Sequence, residues 1–262
     1  MIRKFRFNGE NVLVYNDFGK ENGFPILVQH GTMASIKDIG FFTDLGEVAR
    51  VICIARPGYG ESSPYILKNI LEYGEIIRRL VEELDIDKFD VLCPSAGAIY
   101  GYAVAKACSD RIRNIFVYSG TPALYDDEVR KNWPYPIAGE MTVEESQKIA
   151  FEVFFSNFSE KDRESDVIKD SMANNCFGEG QNLRLRFRDW GFALPEIKAK
   201  VYMQHSKKDG VLPYVMAERT AELLSDCEFE LLENGDHFTN EGFESFIKNT
   251  VIKNISKCLD AA

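Results

Sequence analysis

The sequence predicts an α/β fold with a mostly parallel, twisted sheet of eight strands and helices on both faces. Two observations support this prediction. Short apolar runs alternate along the chain with longer segments in which apolar residues recur at helical spacing, as in strands connected by helices. Most of the apolar runs also lack the alternation of a half-exposed strand, which indicates burial on both faces and therefore a parallel sheet.

The predicted strands begin with an N-terminal hairpin. Arg3–Phe7 and Val12–Tyr15 alternate in polarity and flank the turn residues Asn8-Gly9-Glu10-Asn11, a pattern typical of a β-hairpin. The six strands that follow are expected at Ile26–Gln29, Val51–Ala55, Phe89–Cys93, Ile112–Tyr118, Val201–Gln204 and Glu228–Leu232.

The clearest helical pattern runs from Asn69 to Leu84, where apolar residues recur every three or four positions with Glu and Arg between them. The other core helices are expected between Thr32 and about Val48, after Ser95, over Tyr214–Leu224 and from about Glu241 to Leu259.

One long segment interrupts this alternation. From about Thr121 to Glu196 there is no convincing core strand, and about 75 residues are too many for a loop in a compact domain. We therefore predict a helical lid at 121–196, inserted into a core domain formed by 1–120 and 197–262. Its place above the carboxyl ends of the strands is where open α/β sheets bind ligands. The lid helices are expected around Val143–Phe158, Glu160–Asn174 and Gln181–Trp190.

The composition excludes several classes of protein. Hydrophobic residues at 45% and charged residues at 27% are ordinary for a globular chain, and the formal charge of -10 argues against a nucleic-acid partner. No signal peptide and no membrane-spanning run is recognised, so we expect a cytoplasmic protein with a small-molecule substrate and no membrane partner. The six cysteines show no metal-binding spacing, which favours reduced thiols and no structural metal.

A serine between a short strand and a helix is the most informative local feature. It lies in Cys93-Pro94-Ser95-Ala96-Gly97, where small neighbours allow the backbone to bend sharply. This is the pattern of a nucleophile elbow, usually written G-x-S-x-G, with Cys93 replacing the first glycine. Taken alone, Ser95 is as well explained as a helix N-cap.

A serine nucleophile needs a base, and the chain has three histidines. In sheets of this type the order along the chain is serine, acid, histidine, which excludes His30 and leaves it a structural role at a strand end. His205 also belongs to a strand end. His237 lies in a glycine-bearing loop after the last strand and is predicted to be the base.

The acid must orient the second ring nitrogen of the histidine. Asp209 follows one strand and precedes a helix, at the expected place in the chain order. Asp126 and Asp127 are the fallback candidates. Asp236, adjacent to His237, is expected to point elsewhere. Asp209 is therefore the predicted acid.

An oxyanion hole is the third requirement of this chemistry. The backbone N–H of Ala96, directly after the serine, is one predicted donor. The second is the backbone N–H of Thr32, in the loop that follows the strand Ile26–Gln29. Neither position is a proline, so both N–H groups are present.

The ordered motifs together resemble the α/β-hydrolase superfamily over nearly the whole chain, with the lid least matched. The resemblance implies a Ser95, Asp209 and His237 triad, an oxyanion hole at Thr32 and Ala96, and no metal or organic cofactor. Two departures are Cys93 in place of glycine and Thr32-Met33-Ala34 in place of Pro-Gly. The motifs are His30-Gly31-Thr32, Arg56-Pro57-Gly58-Tyr59-Gly60-Glu61-Ser62, Pro94-Ser95-Ala96-Gly97, Asp209-Gly210-Val211-Leu212-Pro213 and Gly235-Asp236-His237-Phe238.

The predicted function is hydrolysis of an ester or related acyl bond in a small, fairly apolar substrate. Phe151 and Phe155 belong to an aromatic stripe that either packs on the core domain or lines an acyl pocket. The expected substrate-binding residues are Met33, Trp133, Phe151, Phe155, Val211 and Phe238.

Two alternative functions remain open from the sequence. The same triad serves a prolyl-iminopeptidase-like enzyme, a carbon–carbon bond hydrolase or a lactonase, and a free-amine peptidase would need lid carboxylates such as Glu140, Glu144 or Glu145 facing the pocket. A non-catalytic ligand receptor on the same fold is the second alternative.

Overall fold

The structure, a computed structural model, describes residues 1–237 and 239–259 and contains an eight-stranded sheet in the order β1-β2-β4-β3-β5-β6-β7-β8. β1 and β2 run antiparallel to their neighbours, and the other strands are parallel. The predicted fold class is confirmed. The strands are β1 (Ile2–Phe7), β2 (Asn11–Gly19), β3 (Phe24–Gln29), β4 (Ala49–Ala55), β5 (Phe89–Pro94), β6 (Ile112–Tyr118), β7 (Lys200–Ser206) and β8 (Cys227–Leu232).

Helices cover both faces of the sheet. The core helices are α1 (Thr43–Val48), α2 (Ile70–Glu83), α3 (Gly97–Ala107), α9 (Tyr214–Glu222), α10 (Asn240–Phe246) and α11 (Lys253–Leu259). The helices of the segment 121–196, which is the predicted lid and is called the lid below, are α4 (Asp127–Arg130), α5 (Val143–Ala150), α6 (Glu160–Arg163), α7 (Asp166–Ser171) and α8 (Ala173–Leu185). π-Helical turns at Phe151–Phe155 and Ile247–Ile252 extend α5 and join α10 to α11.

Successive residues of the central strands point to opposite faces, and each face has its own apolar core. Val91 and Ile115 belong to the core that includes α2 and α3, whereas Leu92 and Phe116 belong to the core that includes α1 and the C-terminal helices. All four side chains are fully buried. A strand that buries both faces needs apolar residues at nearly every position, which explains the continuous apolar runs in the sequence.

The predicted helix between Thr32 and Val48 is wrong over most of its length. Loop, bends and a short 3₁₀ turn precede α1, which covers only its last six residues. The loop is held instead by contacts with the lid, because the Ala34 N–H donates to Ser171 Oγ at 3.0 Å and Ser35 Oγ donates to Asp170 at 2.5 Å. Tertiary hydrogen bonds therefore override the local helical pattern.

The segment 121–196 contains helices and loops and no strand. Polar contacts join it to the core side of the molecule. Gln181 accepts from the Leu67 N–H at 2.8 Å, and the Asn174 side chain donates to the Gly58 carbonyl at 3.1 Å. No helix within residues 1–237 and 239–259 is long and apolar enough to cross a bilayer.

Candidate active site

Ser95 lies on a sharp turn between β5 and α3. Its φ of 49° is in the left-handed region, a conformation that costs a residue with a side chain about 1–3 kcal/mol. Hydrogen bonds hold the backbone there: the Ser95 N–H donates to Tyr118 O at 2.9 Å, and the Thr121 N–H donates to Ser95 O at 2.9 Å. The turn lifts the hydroxyl off the carboxyl end of the sheet.

Small residues allow this turn to pack tightly. A Cβ at Gly97 would collide with the carbonyl oxygen of Gln29, so the start of α3 can approach β3 only with glycine at this position. A Cβ at Gly101 would collide with the sulfur of Cys93. The Cys93 side chain thus occupies space against α3, and the replacement of the usual glycine is accommodated there.

The structure brings Ser95, His237 and Asp209 into one hydrogen-bonded chain. Ser95 Oγ lies 2.9 Å from His237 Nε2, and His237 Nδ1 lies 2.8 Å from Asp209 Oδ2. Both distances are those of good hydrogen bonds. With the Nδ1–H donated to the carboxylate, the Nε2 lone pair faces the serine hydroxyl and can accept a hydrogen bond from it.

Asp209 is held as a carboxylate by several donors. Its other oxygen accepts from the backbone N–H groups of Val211 at 2.9 Å and Leu212 at 2.8 Å. Burial raises the pKa of the Asp209 carboxyl, but the hydrogen bond from His237 and those from the two backbone N–H groups outweigh it, and the pKa lies below its ordinary value. The group remains ionised at neutral pH.

A second histidine touches the same carboxylate, and sequence reasoning missed this contact. His205 Nε2 lies 3.3 Å from Asp209 Oδ2 and 2.9 Å from the Leu212 carbonyl. Burial lowers the pKa of His205 below its ordinary value, which favours the neutral ring. His205 therefore supports the loop that carries Asp209. Its spacing of four positions from Asp209 was the available signal.

The other acidic residues near this part of the sequence have structural roles. Asp236 accepts from the backbone N–H groups of Gly210 at 3.1 Å and His237 at 2.7 Å, and so ties the two triad loops together. Asp126 caps α4. Asp127 is paired with Arg130 on the surface. In the described residues no contact joins Asp126 or Asp127 to His237.

Thr32 and Ala96 flank the serine on two sides. In the described part of the chain neither backbone N–H donates to a protein acceptor. The loop of Thr32 lies against the elbow, since a Cβ at Gly31 would be 3.6 Å from Ser95 Cβ. An oxyanion hole requires two N–H groups that are free to bind an oxygen, and this is the role predicted for Thr32 and Ala96.

A buried arginine stabilises the loop of Thr32. Arg56 donates to the carbonyls of His30 and of Gly31, the latter at 2.9 Å, and only 1% of Arg56 is exposed. The His30 ring packs on Tyr59 and accepts from the Arg56 N–H at 3.3 Å. Burial and the charge of Arg56 lower the pKa of His30 well below its ordinary value. His30 thus has a structural position, and Arg56 does more than form a turn.

A cavity of about 810 Å³ lies between Ser95, His237 and the lid. This volume is in the range of small-molecule sites. Most of its lining is apolar, including Phe154, Met141 and Leu183 from the lid and Phe41 and Phe243 from the core.

Three of the predicted substrate-binding residues line this cavity, namely Met33, Trp133 and Val211. Phe151 and Phe155 are not among the described residues that line it. Phe155 is fully buried against Phe154 and Phe158, and Phe151 packs against Arg163. The π-helical turn shifts the face that a regular helix would present, which places Val153 and Phe154 on the cavity instead. Phe238 lies outside the described residues.

Sequence reasoning also missed a charged residue of the cavity. Arg186, directly after α8, lines it together with the serine and the histidine. The three lid carboxylates considered for a free-amine site do not line it in the described part of the chain: Glu140 and Glu144 are exposed, and Glu145 caps α5. The charge that the lid brings to the cavity is therefore positive.

Comparisons with known proteins place this geometry in a known fold. The chain is similar to an esterase from Exiguobacterium antarcticum, with a TM-score of 0.73, 19% identity, and coverage of 98% of this chain and 100% of that one. It is also similar to a bromoperoxidase from Bacillus anthracis, with a TM-score of 0.67, 18% identity and coverage of 98% and 100%. A hydrolase from Pseudomonas aeruginosa has a TM-score of 0.69, 16% identity and coverage of 96% and 97%.

Sequence comparison gives one partial relative. The protein named uncharacterized hydrolase YcgS, from Bacillus subtilis, is 28% identical over 136 residues, which are 52% of this chain and 44% of the relative. The match thus spans less than half of the relative's length. No protein-family model matches the chain. The structural similarities show that the chain has the α/β-hydrolase fold.

Proposed function

We propose that the chain is a serine hydrolase that cleaves an ester of a small, fairly apolar acid through an acyl-enzyme. The observation that carries the proposal is the hydrogen-bonded chain from Ser95 Oγ through His237 to Asp209, with distances of 2.9 Å and 2.8 Å. The likeness to an esterase fold and the partial match to a hydrolase support the same reaction class.

The proposed reaction proceeds in two halves. Ser95 Oγ attacks the ester carbonyl while its proton moves to His237 Nε2, and Asp209 stabilises the imidazolium that forms. The N–H groups of Thr32 and Ala96 bind the negative oxygen of the tetrahedral intermediate. His237 then gives its proton to the alkoxide leaving group, and the acyl group stays on Ser95.

Water completes the second half of the reaction. His237 takes a proton from the water that attacks the acyl-enzyme, and a second tetrahedral intermediate forms in the same oxyanion hole. Its collapse returns the proton to Ser95 and releases the acid. No metal or organic cofactor takes part in this proposal.

The cavity favours an ester over the alternatives left open by the sequence. A free-amine peptidase needs a carboxylate for the ammonium group, whereas the described lining offers Arg186 from the lid and one acid, the exposed Asp38. A receptor has no need for a serine in a strained turn with its hydroxyl bonded to a carboxylate-oriented histidine. These features favour the ester hydrolase.

The test is burst kinetics with p-nitrophenyl hexanoate and its p-nitroanilide counterpart. We expect wild type to release p-nitrophenol from the ester in turnover and, where deacylation is slow, in a burst that matches the enzyme concentration. Ser95→Ala should show neither. Ester hydrolysis that persists undiminished in Ser95→Ala would contradict the proposal, and faster cleavage of the anilide would favour the peptidase alternative.

A further inference from the structure

The lid side of the cavity carries the guanidinium group of Arg186. Arg186 lines the cavity, yet in the described residues its side chain forms no ion pair, and its Nε is buried without an acceptor. Most buried polar groups in proteins are hydrogen-bonded, and an unpaired charge in a low-dielectric site is costly. Water can satisfy the N–H groups of such a cation, but it does not supply the missing charge.

Aromatic rings hold this cation in place. Its central carbon lies 4.9 Å from the ring centroid of Trp133 and 5.3 Å from that of Phe187. Trp133 also lines the cavity, and its indole N–H is buried without an acceptor in the described part of the chain. Trp133 and the Arg186 guanidinium therefore lie side by side in the lining of the cavity, and the aromatic rings support the cation.

The acidic residue that acts on Arg186 does not neutralise it. Glu179, in α8, is close enough to Arg186 and Arg56 to act on both charges, but among the described residues it forms no ion pair with either. Burial raises the pKa of Glu179 to about 8, so the group is largely protonated at neutral pH. Burial lowers the pKa of Arg186 only to about 10, so Arg186 keeps its charge.

The neighbouring arginines of the same segment differ from Arg186. Arg184 donates to the Met141 carbonyl at 2.9 Å, and Arg188 donates to the Gly139 carbonyl at 2.7 Å. Neither is among the described residues that line the cavity. Of these three arginines, only Arg186 lines the cavity, and only Arg186 has a side chain without an acceptor among the described residues.

We propose that Arg186 binds a carboxylate of the substrate, so that the preferred ester has an apolar body and one anionic group. This inference rests on the proposed function and specifies its substrate class. A planar guanidinium pairs well with a carboxylate, by two parallel hydrogen bonds where the geometry allows. The described lining contains no other permanently positive side chain to compete for that anion.

The experiment compares matched esters on the same enzyme. Three pairs place the anion on the acyl part. In each, the p-nitrophenyl monoester of glutarate, adipate or suberate is compared with the methyl-terminated ester of equal length. A fourth pair places the anion on the leaving group and compares 4-carboxyphenyl hexanoate with phenyl hexanoate. The measured quantity is the ratio of kcat/KM for the anionic and the neutral member, which does not depend on the fraction of enzyme that is folded.

We expect wild type to prefer the anionic member of at least one pair by tenfold or more. Arg186→Gln should lower that ratio by about 10- to 100-fold, because a hydrogen bond to a charged group is lost. Arg186→Lys should retain part of the preference, and Arg188→Gln, which removes a charge away from the cavity, should leave the ratio unchanged. The pair that responds shows which part of the substrate Arg186 holds.

A preference for the neutral ester in every pair, or an unchanged ratio in Arg186→Gln, would overturn the inference. The proposed function would survive that result if the neutral esters are still cleaved by wild type and not by Ser95→Ala. Binding offers a second readout on Ser95→Ala, with monomethyl adipate as the probe and methyl hexanoate as its neutral counterpart. If the affinity of Ser95→Ala for monomethyl adipate is no higher than its affinity for methyl hexanoate, the inference is also overturned.

Discussion

The two walls of the cavity are built differently. On the core wall, the side chains of Ser95, His237 and Asp209 form a continuous hydrogen-bonded chain. On the lid wall, the half-buried side chain of Arg186 and the indole N–H of Trp133 form no hydrogen bond or ion pair with the described residues. The polar side chains of the core wall thus bind one another, whereas those of the lid wall have hydrogen-bond donors without an acceptor in the described part of the chain.

The difference between the two walls matches two different requirements, one for proton transfer and one for substrate binding. Groups that transfer protons must be oriented before the substrate arrives, and hydrogen bonds within the protein provide that orientation. Groups that select a substrate must keep their bonding capacity for it. Under the proposed function we therefore expect the core to determine the reaction class and the lid to determine the choice of substrate, and each of the following changes tests one wall.

The largest effect is expected from the acid of the core wall. Asp209→Asn cannot accept the Nδ1–H of His237 as a carboxylate does, and should lower kcat by about 10³- to 10⁴-fold. Asp236→Asn is the matched control, since Asp236 binds backbone N–H groups and not the ring, and should cost less than about tenfold. Similar losses in both variants, measured as kcat with a neutral ester, would contradict the assignment of Asp209.

A smaller effect is expected where the core wall meets the substrate oxygen. Thr32→Pro removes one oxyanion donor and should lower kcat by about 10²- to 10³-fold, while Thr32→Ala keeps the N–H and should change kcat little. Circular dichroism spectra of both variants check that the loop change leaves the fold intact. Equal activity in the two variants would show that the Thr32 N–H does not bind the oxyanion.

The charge state of Glu179, the acidic residue that acts on Arg186 of the lid wall, is tested through the free energy of unfolding. The folded-state pKa of Glu179 is raised by burial to about 8 from an ordinary value of 4.5, so the folded state holds a proton that the unfolded state releases. The free energy of unfolding therefore falls as the pH rises from about 4.5 to about 8, by up to about 1.4 kcal/mol per pH unit. Glu179→Gln should remove this loss, so its stability relative to wild type should increase with pH.

Denaturant unfolding at about pH 5 and about pH 8 measures this change, and the relative gain of Glu179→Gln is expected to be roughly 3 kcal/mol. The exposed Glu140 provides a matched control for the loss of one lid carboxyl group. A gain that is the same at both pH values would mean that folding does not raise the pKa of Glu179, and that its ionised carboxylate supplies the counter-charge that Arg186 otherwise lacks.

The core wall could be predicted from the sequence because local chemistry determines it. The sharp turn between a buried strand and a helix constrains the backbone at Ser95. The order of serine, acid and histidine along the chain then identifies Asp209 and His237 as its candidate partners. The contact of His205 with Asp209 was missed because two residues at a strand end and in the next loop give no periodic signal.

The lid could be predicted only as a helical segment. Its helices are short, and their faces depend on what they pack against. The π-helical turn at Phe151–Phe155 moved the cavity-lining face from Phe155 to Phe154, and no pattern in the sequence marks such a turn. Arg186 lies among other arginines in Arg184-Leu185-Arg186-Phe187-Arg188, and only the packing of α8 distinguishes it from its neighbours.

The most direct test of the central claim is intact-mass analysis after exposure to a fluorophosphonate. Wild type, Ser95→Ala and His237→Ala are treated side by side with a serine hydrolase of known reactivity as the positive control. We expect a single adduct on wild type, located on Ser95, and none on either variant. Wild type that stays unlabelled while the control enzyme reacts would contradict an activated Ser95 and favour a ligand receptor on the same fold.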